Sequence, residues 1–449
     1  MSSHVIPSLA VPLRARRSGP LKGVGAVPGD KSISQRALIL GALAEGQTTV
    51  SGLLESQDVL DTARCLAGFG ADLRRQDTGA WQVTGTGVGK WRTPDAPLDF
   101  GNSGTGSRLV MGAMATTPIT AVFTGDASLM SRPMGRVVQP LVQFGARYEG
   151  QGEKVLMPLT VHGAAHAKAV IAEIKTASAQ VKSAMLLAAL NARGKSIIGQ
   201  TSLTRDHTEK MLTAFGAEIS VTPQGAGEII TLTGPAPLKG CAVEVPRDPS
   251  SAAFLMAAAL IVPGSEITLP AILLNPRRTG LLQTLIEMGA DITTANKRSG
   301  GGEEVGDLTI RHSKLRGVTV PAARAPSMID EYPILAVLAA FAEGETRMLG
   351  LEELRVKESD RLAAIAAGLA ANGVACSITG DDLMVRGMAS VPGGGTVITH
   401  MDHRIAMSFL TMGLASQNPV TVDDVAMIAT SFPTYRDLMR GLGAAMEAE

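Results

Sequence analysis

Pro28-Gly29-Asp30-Lys31-Ser32-Ile33-Ser34-Gln35-Arg36-Ala37-Leu38-Ile39-Leu40-Gly41-Ala42-Leu43-Ala44 sets a turn, a polar cap and an apolar run in immediate succession. Asp30 to Ser34 reads as a capped helix start, and the apolar helix stops at Gly46. A short β-prone stretch, 48–50, comes next. Residues 58–68 form a second helix, apolar at Val59, Leu60, Ala63 and Leu66 and closed by Gly70. Residues 71–75 and 81–84 then alternate like a hairpin around Asp77-Thr78-Gly79. The unit is β-α-β-α-β-β.

The opening recurs along the whole chain. Polar clusters precede apolar runs near Asp30, Asn102, Ser178, Ser250, Asp330 and Asp402, at spacings of 72, 76, 72, 80 and 72 residues. A second series marks helix stops at Gly70-Ala71, Gly145-Ala146, Gly216-Ala217, Gly289-Ala290, Gly373-Val374 and Gly443-Ala444. A period this long is one supersecondary unit repeated. Six units are too many for one core, so an α/β protein of two lobes, three units each, is expected. The chain should cross between lobes at Val27-Pro28-Gly29 and Val245-Pro246-Arg247. That gives an N-terminal lobe of 29–245 and a discontinuous C-terminal lobe of 1–28 plus 246–449, with the first strand packed on the latter. Residues 297–306, with four glycines, read as an exposed excursion.

Composition narrows the function. Lys plus Arg equal Asp plus Glu at 41 each, which leaves no bulk positive field to draw the chain to nucleic acid or membrane. Aromatic residues are 3%, too few for base-stacking platforms. Cys65, Cys241 and Cys376 are far apart and read as reduced thiols of a cytoplasmic protein, not a disulfide frame or a zinc site. The longest apolar run, 252–262, is too short to span a bilayer. Residues 1–20 carry Arg14, Arg16 and Arg17 without a sustained apolar core, a ragged terminus rather than a secretory signal.

The chemistry gathers at helix starts. Backbone N–H groups there attract anions, and Lys31 and Arg36 add full charge; an ordinary N-cap with surface cations reads as well. Asp99-Phe100-Gly101-Asn102-Ser103-Gly104-Thr105-Gly106-Ser107-Arg108 is a second such start, without dinucleotide-fingerprint or P-loop spacing. In Arg132-Pro133-Met134-Gly135-Arg136, Pro133 suits the first helical position and two arginines oppose the helix dipole, unless an anion reverses the sign. Lys357 and Arg361 are like charges at i,i+4, with Glu358 and Asp360 able to offset them. Asp330 and Asp402 serve as caps or as ligand contacts. His400 and His403 lack a supporting carboxylate set, so no metal is expected. Together the clusters describe a cleft for one or two phosphorylated, acidic small molecules.

The motifs at 28–36, 101–108, 125–136, 178–183, Thr204-Arg205-Asp206-His207, Asp330-Glu331-Tyr332-Pro333, 355–361 and Asp402-His403-Arg404 resemble the 5-enolpyruvylshikimate-3-phosphate synthase family, closest to its bacterial class II branch. The resemblance runs from about residue 21 to the C-terminus. It implies two similar lobes, each of three βαβαββ repeats, in the inside-out α/β barrel of the enolpyruvyl transferases. The implied reaction moves the enolpyruvyl group of phosphoenolpyruvate onto the 5-hydroxyl of shikimate 3-phosphate and releases phosphate. It needs no metal or organic cofactor, and a cytoplasmic monomer is expected.

By the same resemblance Lys31, Gly104, Arg132, Gln180, Arg361 and Arg404 would hold phosphoenolpyruvate. Lys31, Ser32, Arg36, Ser178, Ala179, Gln180, Arg205, Asp330 and Lys357 would hold shikimate 3-phosphate. Asp330 would take the hydroxyl proton and Glu358 would protonate the methylene carbon, with Lys31 sharing in either step. Two departures matter. Thr430 stands where many members carry lysine, and Gly104 stands where the glyphosate-tolerant branch can carry alanine, which implies ordinary glyphosate sensitivity. Transfer to UDP-N-acetylglucosamine would need a loop cysteine, and none lies between Cys65 and Cys241. A non-catalytic shikimate 3-phosphate binding protein would have no use for both Asp330 and Glu358.

Overall fold

Six four-stranded sheets share one pattern in the computed structural model, which describes residues 10–300 and 302–448. In each, a leading strand runs parallel to its neighbour, and the remaining pairs are antiparallel. The third unit shows it plainly. Ile171–Ile174, Gly194–Gln200, Gly227–Gly234 and Ile219–Gln224 lie side by side, joined through helices Ala179–Ala189 and His207–Ala214. The described strands close no barrel; the sheets remain open and lie outside the helices.

Six helices, one per unit, form the interior: Lys31–Leu43, Gly104–Met114, Ala179–Ala189, Pro249–Ile261, Tyr332–Ala340 and His403–Gly413. Their compositions explain the placement. Every residue of Tyr332–Ala340 is buried, and all of Pro249–Ile261 after its proline. A helix apolar on all sides has no face to offer water and must be central. Gly112 lets Gly104–Met114 approach Ala179–Ala189, because a Cβ there would lie 2.3 Å from the Ala184 carbonyl oxygen. Two apolar clusters result. One draws on residues 33–245 together with Leu273, the other on 13–27 and 252–446.

Three sheets are completed by distant segments, one of them by Lys22–Val24, which runs parallel to Glu266–Leu273. The leading strand of the first sheet is Ala242–Glu244, which arrives after the third unit rather than just before Asp30. Leu13–Ala15 inserts between Val420–Val422 and Met446–Ala448, so the chain is ordered in a sheet well before residue 20, contrary to the ragged terminus expected. Residues 1–9 of that expectation lie outside the described residues. Segments 27–30 and 245–248 run against one another: Asp30 N donates to the Pro246 carbonyl at 2.8 Å, and Asp248 N to the Pro28 carbonyl at 2.9 Å.

Of the glycine-rich stretch 297–306, residue 301 lies outside the described residues, and the flanking parts belong to the paired antiparallel strands Asp291–Gly300 and Glu303–Arg311 rather than to a simple exposed loop. Lys297 to Ser299 are exposed, but Glu303 and Val305 are buried, because Glu303 binds His207, Lys210 and Asn275. No helix among the described residues is long and apolar enough to cross a membrane.

Candidate active site

The six interior helices point their N-termini into one cleft of about 490 Å³. Its walls include Asp30, Lys31 and Ser32 from the first helix start, Gly104, Thr105 and Arg108 from the second, and Ser178, Ala179 and Gln180 from the third. Asp248 and Ser250 come from the fourth, Ile329 and Asp330 from the approach to the fifth, and Arg404 from the sixth. Local chemistry builds these starts. Asp30 accepts from Ile33 N at 2.8 Å, Ser103 from Gly106 N at 3.2 Å, Ser178 from Val181 N at 3.4 Å, and Asp402 from Arg404 N at 2.9 Å. The remaining N–H groups, and the positive ends of six helix dipoles, favour anions in the cleft.

On one wall Lys31 Nζ lies 2.9 Å from Asp58 Oδ2. Burial pushes the Asp58 carboxyl up, and Lys31 opposes that. Arg132 is held by neutral partners, donating to Asn102 Oδ1 at 2.6 Å and Ser128 Oγ at 2.9 Å. Arg108 donates to Gln180 Oε1 at 2.8 Å, and Gln180 Nε2 donates to Thr105 Oγ1 at 3.0 Å. Neither Arg108 nor Arg132 is ion-paired to a carboxylate among the described residues. Burial, then the neighbouring Arg132 and Arg136, pushes Arg108 down to about 9. A buried guanidinium without a counter-ion is the mark of a site that receives an anion.

On the other wall Asp330 gathers cations. Arg205 Nη2 lies 2.5 Å away, Arg361 Nη1 3.1 Å and Lys357 Nζ 3.4 Å, while Arg404 Nη1 donates to the Asp330 carbonyl at 3.1 Å. Burial alone would raise this carboxyl; Lys357, Arg205, Arg404 and Arg361 outweigh it and hold it well below the carboxylate range. Glu358 is handled likewise. Against burial, Arg361 at 2.5 Å, with Arg132 and Lys31, keeps it ionised. Lys357 is pushed down by burial, then by Arg361 and Arg205, with Asp330 opposing.

The structure brings most of the sequence-derived residues together and sets two apart. Lys31, Ser32, Gly104, Arg132, Ser178, Ala179, Gln180, Arg205, Asp330, Lys357, Glu358 and Arg404 line the cleft. Arg36 does not. It stands a turn behind Ser32, donating to the Ser32 carbonyl, Ser183 Oγ and Thr208 Oγ1. Arg361 is fully buried behind the wall, clasped by Asp402 at 2.7 Å as well as by Asp330 and Glu358. Its reach to a ligand is therefore indirect as the side chains stand.

Local readings also shift. The helix after Pro133 begins at Gly135, so Pro133 precedes it and only Arg136 lies in its first turn. Lys357 and Arg361 do not share a helix, because Asp360 caps a new one at Arg361; they meet at Asp330 instead. Asp58, Arg108 and Glu353 also line the cleft; Asp58 lies at the start of the second helix and Arg108 at the end of the glycine-rich stretch, and nothing local marks any of the three as facing a ligand. One trio of metal-ligand type, Asp206, His207 and Glu303, is a hydrogen-bonded network, with Lys210 and Asn275 already donating to Glu303.

Comparison with known proteins agrees with this geometry. The family model for EPSP synthase (3-phosphoshikimate 1-carboxyvinyltransferase) matches residues 15–439. A 3-phosphoshikimate 1-carboxyvinyltransferase of Cereibacter sphaeroides is 59% identical over 100% of both chains. One from Methylorubrum extorquens is 58% identical over 97% of each. The solved structure of an EPSP synthase from Acinetobacter baumannii superimposes with a TM-score of 0.85 at 40% identity, covering 98% of this chain and 100% of that one. With six repeated units converging on one cation-rich cleft, this chain belongs to the EPSP synthase family.

Proposed function

We propose that the cleft transfers the enolpyruvyl group of phosphoenolpyruvate to the 5-hydroxyl of shikimate 3-phosphate, releasing inorganic phosphate, a step of aromatic amino-acid biosynthesis. The observation that carries the reading is Arg361, which touches both Asp330 and Glu358 while Lys31, Arg132, Gln180 and Arg404 line the same cleft. A base and an acid are thus fixed by one buried cation beside an anion site.

In the proposed chemistry Asp330 takes the proton of the attacking hydroxyl, and Glu358 delivers one to the methylene carbon of phosphoenolpyruvate. The new C–O bond gives a tetrahedral ketal phosphate. Loss of the methyl proton back to Glu358 and cleavage of the C–O bond to phosphate then restore the enol ether. Lys31 would share in either proton step. Asp330 is held ionised, as a base must be. Glu358 must be protonated to act as an acid, yet Arg361, Arg132 and Lys31 oppose that. A phosphate and a carboxylate on those cations neutralise them, so the substrate itself raises Glu358 toward working pH. Lys31, Gly104, Arg132, Gln180 and Arg404 would hold phosphoenolpyruvate, with Arg361 behind them. Ser32, Ser178, Ala179, Gln180, Arg205 and Lys357 would hold shikimate 3-phosphate, with Arg36 supporting Ser32.

The two apolar clusters support lobes of 29–245 and of 1–28 plus 246–449, with the first nine residues outside the described chain. We read the enzyme as a cytoplasmic monomer, since both cleft walls come from one chain and its three cysteines are free. Phosphate release from purified protein with both substrates tests the activity. Release without shikimate 3-phosphate, or none with both, would overturn it.

A further inference from the structure

Arg136 and Glu353 have no part in the reaction described above, yet they join opposite walls of the cleft. Arg136 Nη2 donates to Glu353 Oε1 at 3.2 Å and to Oε2 at 3.0 Å, and each side chain is 26% exposed. Arg136 is the second residue of helix Gly135–Leu141, where a lone cation opposes the helix dipole. It also neighbours Arg108 and Arg132. Among the described residues, Glu353 is the one carboxylate ion-paired to any of these three arginines.

Glu353 lies in a 3₁₀ turn, Glu352–Val356, that runs straight into Lys357 and Glu358. A second contact joins the same segments, as Ser128 Oγ donates to the Glu358 carbonyl at 3.4 Å. The turn lacks an α-helical ladder of its own, so its position depends on what it touches.

We propose that Arg136–Glu353 is a strap across the cleft, a positioning pair that holds segment 352–358 against the opposite wall and so aims Glu358 at phosphoenolpyruvate. Neither residue touches the reacting atoms. The pair acts through Glu358 and Lys357, and its strength should appear in phosphoenolpyruvate use. This inference rests on the enolpyruvyl-transfer reading for its kinetic consequence, but not for its structural one.

Two measurements on full-length Arg136→Gln, Glu353→Gln, the double variant and Arg136→Lys test it. Steady-state kinetics at saturating shikimate 3-phosphate should show each Gln variant raising KM for phosphoenolpyruvate about five-fold and lowering kcat. The double variant should be no worse than the worse single one, and Arg136→Lys should recover most of the loss. Hydrogen exchange of amides 352–358 should quicken equally in both single variants while the thermal midpoint stays put. Additive kinetic losses would overturn the strap, as would damage from Arg136→Gln without damage from Glu353→Gln, which marks direct substrate contact. Unchanged exchange at 352–358 would also overturn it, whether or not the wild-type protein releases phosphate; absent wild-type turnover alone would instead sink the enzymatic reading.

Discussion

Replacing Asp330 by Asn removes one negative charge from a site where three cations meet, at 2.5, 3.1 and 3.4 Å. The amide keeps the shape and can still accept hydrogen bonds, so the substitution isolates charge and basicity. Two costs can be separated. Losing a positioned base slows the chemical step by about 10²–10⁴-fold, equal to roughly 2.7–5.5 kcal/mol of barrier. Losing the ion pairs costs stability, because Arg205 and Lys357 keep no other carboxylate within pairing distance among the described residues. Arg361 is different, since Asp402 and Glu358 still hold it. Breaking a fully buried pair costs about 3–5 kcal/mol. Here the Asp330 side chain is 14% exposed and Arg205 17%, so a smaller loss, about 1–2 kcal/mol, is expected. An incoming phosphate can satisfy the freed cations, so affinity for shikimate 3-phosphate should hold or improve. The assay is phosphate release at saturating substrates, beside calorimetric titration of shikimate 3-phosphate and thermal melting. A folded Asp330→Asn protein with kcat within tenfold of wild type would remove Asp330 as the base. Loss of binding with kcat unchanged would recast it as a purely structural anchor.

A Cβ on Gly104 would sit 3.0 Å from Arg132 Nη1 and 3.3 Å from Arg108 Nη1, so Gly104→Ala must shift both guanidiniums by a few tenths of an ångström. Glyphosate, longer than phosphoenolpyruvate, should lose more affinity than the substrate; wild-type turnover unaffected by millimolar glyphosate would refute that account of Gly104. Arg361→Met should cost about 3–5 kcal/mol in denaturant unfolding, because it leaves Asp402 and Glu358 uncompensated, with Asp402→Asn restoring part of the stability but not activity. His207 and His403 are kept neutral, chiefly by burial, with pKa values below the ordinary 6.5. Below that pH the unfolded chain takes up protons that the folded one refuses, so stability must fall as pH falls, by about 1.4 kcal/mol per histidine per unit until the folded value is reached. Calorimetric melts between pH 7.5 and 5.5 read this directly, and His403→Gln should flatten the slope.

The helix starts were legible because capping is local. Asp30, Ser103, Ser178 and Asp402 each bond an N–H within three residues, a relation visible as spacing. Sheet closure was not. Ala242–Glu244 pairs with Gln47–Ser51, and Leu13–Ala15 pairs with strands more than 400 residues away, contacts with no local signature. Nor can a sequence tell a cation that faces a ligand from one that faces a protein group. Arg36 and Arg361 match anion-binding motifs, but Ser183, Thr208 and Asp402, from other units, turn them inward. Glu303 misled in the opposite direction, its glycine-rich neighbours suggesting solvent while His207 and Lys210 draw it in.

The cleft is not simply a basic pocket, and that bears on catalysis. Its lining holds eight cationic side chains and seven carboxylates, so side-chain charge nearly cancels. A site of unpaired cations would repel itself and need solvent or counter-ions to stay folded. Here most cations are fixed by internal carboxylates, as Lys31 is by Asp58 and Arg205 by Asp330. Those partners fix each cation in place, which in the proposed mechanism would leave little reorganisation when charge develops. The net pull on an anion then comes from the six helix N-termini and from Arg108 and Arg132, which have only neutral partners. Substrate binding becomes an exchange in which phosphate and carboxylate groups compete with the protein's own carboxylates for shared cations. In the proposed roles, Asp330 and Glu358 are the carboxylates whose cations the substrates would claim, which would make binding and the tuning of acid and base one electrostatic event.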